Sequence, residues 1–256
     1  RYEDPHYSAY YSKIFAGTWE EYDPFGKVDK RAQANLTRYA SGAGGCTAFR
    51  SFQGWIALSA VGPVPNVGTL RVVPLLKEST AYVLLRPFLD DVPDTDFCGA
   101  IPGKSHDLME KWHSRLLEGM MTIPSMKPGD AVFWHADVVH AVEAQHLGAE
   151  DSSVFYIPAL PVTPQNAWFM RQLRKKFQEG RTPQDFPPND SEIDFIGRGT
   201  EAHLTDLGRQ MLGLDRLPDI PSDQVHLDGT CYLNNARCEE IEPNDIVAQC
   251  NAILGF

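Results

Sequence analysis

No stretch of this 256-residue chain is apolar for the length of a membrane span, and no charged-then-apolar leader opens it. Basic residues are also scarce. The chain has 23 Lys and Arg against 34 Asp and Glu, a formal net charge of −11. That balance argues against nucleic acid or an anionic membrane as the main partner, because both need clustered Lys and Arg. A local basic pocket for a small anion stays open. Cysteine is sparse and odd in number: Cys46, Cys98, Cys231, Cys238 and Cys250. A chain this long needs no disulfide framework, and Cys231 and Cys238 are too far apart for a zinc knuckle. The thiols read as ordinary ones in a reducing interior, the cytoplasm. No Gly-x-Ser-x-Gly elbow is present and no Cys stands beside an obvious His base, which disfavours a covalent hydrolase. Ser41–Gly45 lacks the Lys-Ser/Thr of a P-loop, so it reads as a plain loop.

Hydrophobic residues make up 43% of the chain, ordinary for a globular protein, and its length allows one large core. The spacing predicts a helix over residues 4–17, opened by Pro5 and closed by Gly17. Strand-like texture follows at 46–60, 68–76 and 80–88, separated by Gly and Pro turns. Residues 105–121 read as a helix with Leu108, Trp112, Leu116 and Met120 on one face. Strands are expected at 130–135, 138–144 and 153–160. Thr163-Pro164 opens a helix that runs to Gly180, with a basic last turn read as a solvated face. Thr200 caps another helix ending at Gly213, and a short helix follows Pro243. Short strands with inserted and appended helices point to a mostly-β, double-stranded jelly roll (cupin-like) over 1–216, with residues 217–256 as a C-terminal tail.

The stretch Gly129 to His140 carries the chemistry. A Pro128-Gly129-Asp130 turn launches an apolar run that ends in His135, Asp137 and His140. Two imidazoles and a carboxylate form the ligand set of non-haem Fe(II) oxygenases. Strand alternation places His135 and Asp137 on one face and His140 on the other. All three meet only if the backbone turns between Asp137 and His140, so that His135 ends one strand and His140 opens the next. A simpler arrangement takes one ligand from this segment and two from elsewhere.

Arg50 lies in the apolar run Phe49-Arg50-Ser51-Phe52-Gln53-Gly54-Trp55. Burying a guanidinium there requires an anion, either a bound carboxylate or a core Asp or Glu. Arg71 and Arg86 read as structural ion pairs. Gly54 allows a close approach of backbone or ligand. Trp55 and Trp134 are expected in the core. His106, His113, His146, His203 and His226 are expected at the surface or in caps.

Trp19–Pro24, Ala48–Trp55, Ala81–Pro87, Gly129–His140 and Phe186-Pro187 together resemble a family of bacterial and fungal proteins grouped as 2-oxoglutarate/Fe(II)-dependent oxygenases. The resemblance runs over about residues 1–214. More distantly the chain is similar to phytanoyl-CoA dioxygenase-like enzymes, in which a Gly-Asp turn and a strand precede the distal metal histidine. The resemblance implies Fe(II) and the cosubstrate 2-oxoglutarate, a small organic substrate, and His140 as the distal ligand. It also implies a His-x-Asp pair ahead of Arg1, so that the chain lacks the first part of the domain. Residues 147–160 hold no Arg or Lys. The 2-oxoglutarate contact that the distant relatives place there therefore falls to Arg50. Two other expectations compete. One is a cupin-like protein that binds a small carboxylate or a partner without catalysis. The other is a self-contained metal site of His135, Asp137 and His140.

Overall fold

The computed structural model describes residues 5–26, 47–62, 64–100, 106–185, 192–221, 232–233, 236–237 and 243–256. Ser41–Gly45, Cys46, Phe186-Pro187, His226, Cys231 and Cys238 lie outside the described residues. The helix expected over 4–17 is two: α1 (Pro5–Tyr10) and α2 (Ser12–Phe15). Tyr11 leaves the helical path between them, with φ −94° and ψ 17°. Its side chain explains the break, because it reaches a partner 126 residues away. Gly17 closes α2 at φ +79°, as its position predicted.

The strand expected at 80–88 is a helix. Residues Leu76–Leu85 form α3, followed by a 3₁₀ turn at Arg86–Phe88. Leu76, Thr80, Ala81 and Leu84 are buried, a helical spacing that the Thr, Tyr and Val content obscured. Ala81 and Leu84 pack on Tyr11, Ile14 and Tyr22, so tertiary contact overrode local β preference. The helix expected over 105–121 shortens to α4 (Glu110–Leu117). His113, expected at the surface, is buried there. Burial pushes its pKa down, and its Nε2 meets the Cys98 carbonyl at 3.3 Å.

Six strands make two small antiparallel sheets. Strand β1 (Phe52–Ala57) lies between β4 (Ala131–His135) and β6 (Val154–Tyr156). Strand β2 (Leu70–Val72) lies between β3 (Met121–Thr122) and β5 (His140–Val142). Trp55 and Ala57 of β1 and Val132 and Trp134 of β4 meet Leu70 and Val72 of β2 in one apolar cluster. The two sheets therefore share a core. The opposite face of the first sheet carries Phe133 over Gly54. A hairpin, β7 (Tyr232–Leu233) and β8 (Ala236–Arg237), stands apart from these sheets.

Helix α5 (Pro164–Glu179) begins and ends where its caps predicted. Thr163 Oγ1 accepts the Asn166 N–H at 3.1 Å, and Gly180 follows at φ +66°. The helix expected from Thr200 to Gly213 divides. Thr200 caps a 3₁₀ turn at Glu201–His203, and Thr205 caps α6 (Asp206–Met211). Helix α7 (Pro243–Leu254) packs on α5 through Val247, Cys250 and Leu254 against Ala167 and Leu217. The basic face of α5 is not merely solvated. Arg171 donates to the Ile253 carbonyl at 3.2 Å, and Arg174 donates to those of Leu254 and Gly213. Cations there satisfy carbonyls that the end of α7 leaves open.

Glu143, just past β5, binds the turn that leads into β2. Its Oε2 accepts the N–H groups of Val67 at 2.9 Å and Thr69 at 3.3 Å. Burial opposes its charge, yet the backbone N–H groups of Thr69, Asn66, Val67 and Gly68 hold the carboxyl below its usual range. A depressed folded-state pKa contributes stability above the unfolded pKa and loses it as pH falls through the folded value. Glu143→Gln should therefore cost about 1–3 kcal/mol at neutral pH. The gap from wild type should close on acidification. Urea unfolding midpoints of both proteins across acidic pH check this; a gap independent of pH contradicts it.

Candidate functional site

The site forms where the chain crosses from one sheet to the other. Strand β4 ends at His135 and β5 opens at His140, so the turn required for His135, Asp137 and His140 to approach is present. It does not make them converge. His135 pairs with Phe52 and faces the outer side of its sheet, edge-on to the Phe52 and Phe25 rings at 6.1 and 5.7 Å. His140 pairs with Val72, and directly opposed residues share a face. Val72 packs into the shared core. His140 therefore lies on the core-facing side, exposed at the edge strand, with its ring 5.3 Å from that of Trp134. Among the described residues no three His, Cys, Asp or Glu side chains gather into a metal-binding group.

Hydrogen bonds assign a role to each ring nitrogen. His140 Nδ1 lies 2.8 Å from the Val138 carbonyl. Only a protonated nitrogen makes that bond, so Nε2 of the neutral ring keeps its lone pair. This arrangement is the usual one for a metal-ligating imidazole. His135 is wired the other way. Its Nδ1 accepts the Asp137 N–H at 3.0 Å, which leaves the proton of the neutral ring on Nε2. The Asp137 carboxylate accepts the Tyr11 hydroxyl at 2.6 Å. Tyr11 and Tyr22 are buried together, with ring centroids 5.8 Å apart. Burial first, then the charge of Asp137 and the neighbouring Tyr11 and Tyr10, raise the Tyr22 pKa far above its usual value.

Arg50 stands at the same end of the first sheet. The Ser51 carbonyl faces the Ala136 N–H at 3.4 Å, which places Arg50 beside the crossover. It is half-buried, and among the described residues no carboxylate pairs with it. Its backbone is held through Phe49. Asn166 Oδ1 accepts the Phe49 N–H at 2.8 Å, and Nδ2 donates to the Phe49 and Pro161 carbonyls at 2.9 and 2.8 Å. Arg86 forks onto Asp91 (Nη1–Oδ1 2.5 Å, Nη2–Oδ2 3.0 Å), the structural pair expected of it. Arg71 donates instead to the Met120 carbonyl at 3.3 Å. The Trp134 indole N–H is buried without a partner among the described residues and lies next to His140. Sequence reasoning missed Tyr11, Asn166 and the Trp134 donor. Tyr11 and Asn166 act across more than a hundred residues of sequence, and no local pattern announces such partners.

A profile of the Gig2-like family matches residues 1–214, which take in Arg50 and the whole crossover. The chain belongs to the Gig2-like family. It is 38% identical over 216 residues to the Escherichia coli K12 protein YbiU, covering 82% of this chain and 49% of YbiU. A crystal structure of a Salmonella typhimurium LT2 protein, provisionally named an oxidoreductase, aligns with a TM-score of 0.72 and 37% identity. That alignment covers 82% of this chain and 49% of the Salmonella one. The Candida albicans protein encoded by GlcNAc Inducible Gene 2 aligns at a TM-score of 0.76 and 30% identity, over 100% of this chain and 56% of its own. The chain thus spans about half the length of these Gig2-like relatives. No described helix is long and apolar enough to cross a membrane.

Proposed function

We propose that this Gig2-like chain serves an Fe(II)/2-oxoglutarate-dependent oxygenase acting on a small organic substrate, built on a double-stranded β-helix core. The observation that carries the proposal is His140, whose Nδ1–H is tied to the Val138 carbonyl so that Nε2 is presented beside the shared core. Two small sheets facing one apolar cluster, with the ligand on the crossover between them, support the jelly-roll reading. The oxidoreductase name given to the Salmonella relative agrees with the coarser activity.

Iron with 2-oxoglutarate supplies the oxidising power for an unactivated C–H bond; the protein supplies binding and orientation. On this proposal His140 would hold the ion through Nε2. Arg50, with no carboxylate partner among the described residues, would bind the far carboxylate of 2-oxoglutarate. The buried Trp134 indole N–H would be a donor for a ligand beside His140. Val132, Val72 and Trp55 wall the interior against water. Two further ligands would be needed beside His140, and the described residues do not bring them to it.

Anaerobic titration with ferrous iron and 2-oxoglutarate, followed by the metal-to-ligand charge-transfer band, tests the proposal. It should be run on this chain and on full-length YbiU. We expect a stoichiometric band in the full-length protein. Changing the residue aligned with His140 to Ala should abolish it, and changing the one aligned with Arg50 to Leu should weaken 2-oxoglutarate binding by about tenfold or more. Absence of the band from full-length YbiU overturns the proposal. It would favour a fold that binds a small carboxylate or a partner without catalysis.

A further inference from the structure

Five hydrogen bonds tie the crossover together as a relay. Tyr11, fully buried at the break between α1 and α2, donates its hydroxyl to Asp137 Oδ2 at 2.6 Å. The Asp137 N–H donates to His135 Nδ1 at 3.0 Å, and the Val138 N–H returns to the His135 carbonyl at 2.9 Å. The Val138 carbonyl then accepts His140 Nδ1–H at 2.8 Å, while Val73 donates to the Val139 carbonyl at 2.9 Å. Each link fixes the backbone that carries the next. We infer that Tyr11 and Asp137 are positioning residues that set the imidazole of His140, and that neither Asp137 nor His135 is itself a metal ligand. For the metal the inference rests on the oxygenase proposal; the positioning of His140 stands on this geometry.

The geometry separates the two roles. A carboxylate that ligates an ion at His140 must turn its oxygens towards Nε2. Asp137 instead turns Oδ2 to a phenol in the cluster of Tyr11, Ile14, Tyr22, Ala81 and Leu84. His135 points to the outer, aromatic face, and its Nδ1 lone pair is taken by a backbone N–H. The break in the N-terminal helix gains a purpose. An unbroken helix over 5–15 holds Tyr11 on a regular path, whereas the break lets its hydroxyl reach the crossover. The N-terminal helices therefore act as a strut that orders a turn in the distant half of the sequence.

The test reads His140 directly, without metal. Protein labelled with ¹⁵N in its histidine rings gives the tautomer of each imidazole, and His140→Gln assigns the signal. Wild type should show His140 as the Nδ1–H form. In Tyr11→Phe and in Asp137→Ala the signal should move towards a mixture of tautomers, and the amides of residues 138–142 should exchange about tenfold faster or more. Asp137→Asn keeps an acceptor for Tyr11 and should restore the wild-type signal. Lys13→Ala, which removes only the exposed pair between Lys13 of α2 and Glu21, should change nothing. Wild-type His140 signals and exchange in both Tyr11→Phe and Asp137→Ala overturn the inference. Where Tyr11→Phe does not fold, Asp137→Ala decides alone. In iron titrations of full-length YbiU, changing the residue aligned with Asp137 to Asn should leave binding within a few fold. Abolished binding marks that residue as a ligand and also overturns the inference. A wild-type protein that binds no iron sinks the oxygenase proposal alone, because the ring signals still decide the positioning.

Discussion

Asn166→Ala is expected to lower the unfolding free energy by about 2–4 kcal/mol, because two buried groups of Phe49 and the part-buried Pro161 carbonyl lose their partner and each buried orphan costs about 1–3 kcal/mol. Asn166 is 5% exposed, and its amide meets the N–H and carbonyl of Phe49 as a neighbouring strand does, while also reaching the Pro161 carbonyl. Phe49 is itself only 4% exposed, which keeps these groups from bulk water. Such a loss is a large fraction of the stability of a typical domain. Asn166→Asp should do no better, because two carbonyls would then face a buried charge. The loss should appear as a lower denaturant midpoint with an unchanged slope. A loss under about 1 kcal/mol contradicts the account. Because Phe49 precedes Arg50, the oxygenase proposal adds a second consequence. Asn166→Ala should weaken 2-oxoglutarate binding even under conditions where the fold persists.

Gly54→Ala should destabilise by about 2–3 kcal/mol, the cost of overpacking a filled site. The sign makes this prediction sharp. A glycine inside a strand ordinarily costs about 0.5–1 kcal/mol relative to alanine, so the same change elsewhere in a strand stabilises. At position 54 an added Cβ would stand 2.5 Å from Phe133 Cδ1 and 2.8 Å from the Val132 carbonyl oxygen. The Phe133 ring is 53% exposed and can swing aside. The Val132 carbonyl belongs to the backbone of β4 and cannot move without opening the β1–β4 pairing. Gly54→Ala in a Phe133→Ala background should therefore recover only part of the loss. Unfolding free energies of the two single variants and the double variant measure this coupling. Full recovery in the double variant would show that the ring alone excludes a side chain there.

The ends of α5 were legible because its capping chemistry is local. Thr163, Pro164 and Gly180 bound α5 because a hydroxyl, a fixed φ and a left-handed residue act on backbone within one turn. The strands at 131–135, 140–142 and 154–156 were legible from alternation bounded by turn residues. Residues 76–85 were misread because Thr80, Tyr82 and Val83 carry β preference, while packing of Ala81 and Leu84 on the tyrosine cluster decides for helix. The division of the Thr200–Gly213 helix was missed because a second cap, Thr205, competes with the first.

The candidate site divides along the same line. Sequence alone determined which chemistry is available: an arginine in an apolar run, and two imidazoles and a carboxylate within six residues of a strand end. It also determined that His140 needs a turn after Asp137, because side-chain alternation follows from backbone geometry. Only the tertiary structure decided that His135 is buried against Phe25 and Phe52 while His140 is exposed at the edge strand, on the side of Trp134. That outcome depends on β4 and β5 belonging to different sheets. Only the tertiary structure, likewise, gave Asp137 to Tyr11, Phe49 to Asn166 and α7 to Arg171 and Arg174. These partners lie 80 to 126 residues apart in the chain. Hydrogen-bond complementarity acts through space, so sequence neighbours carry no record of it until the chain has folded.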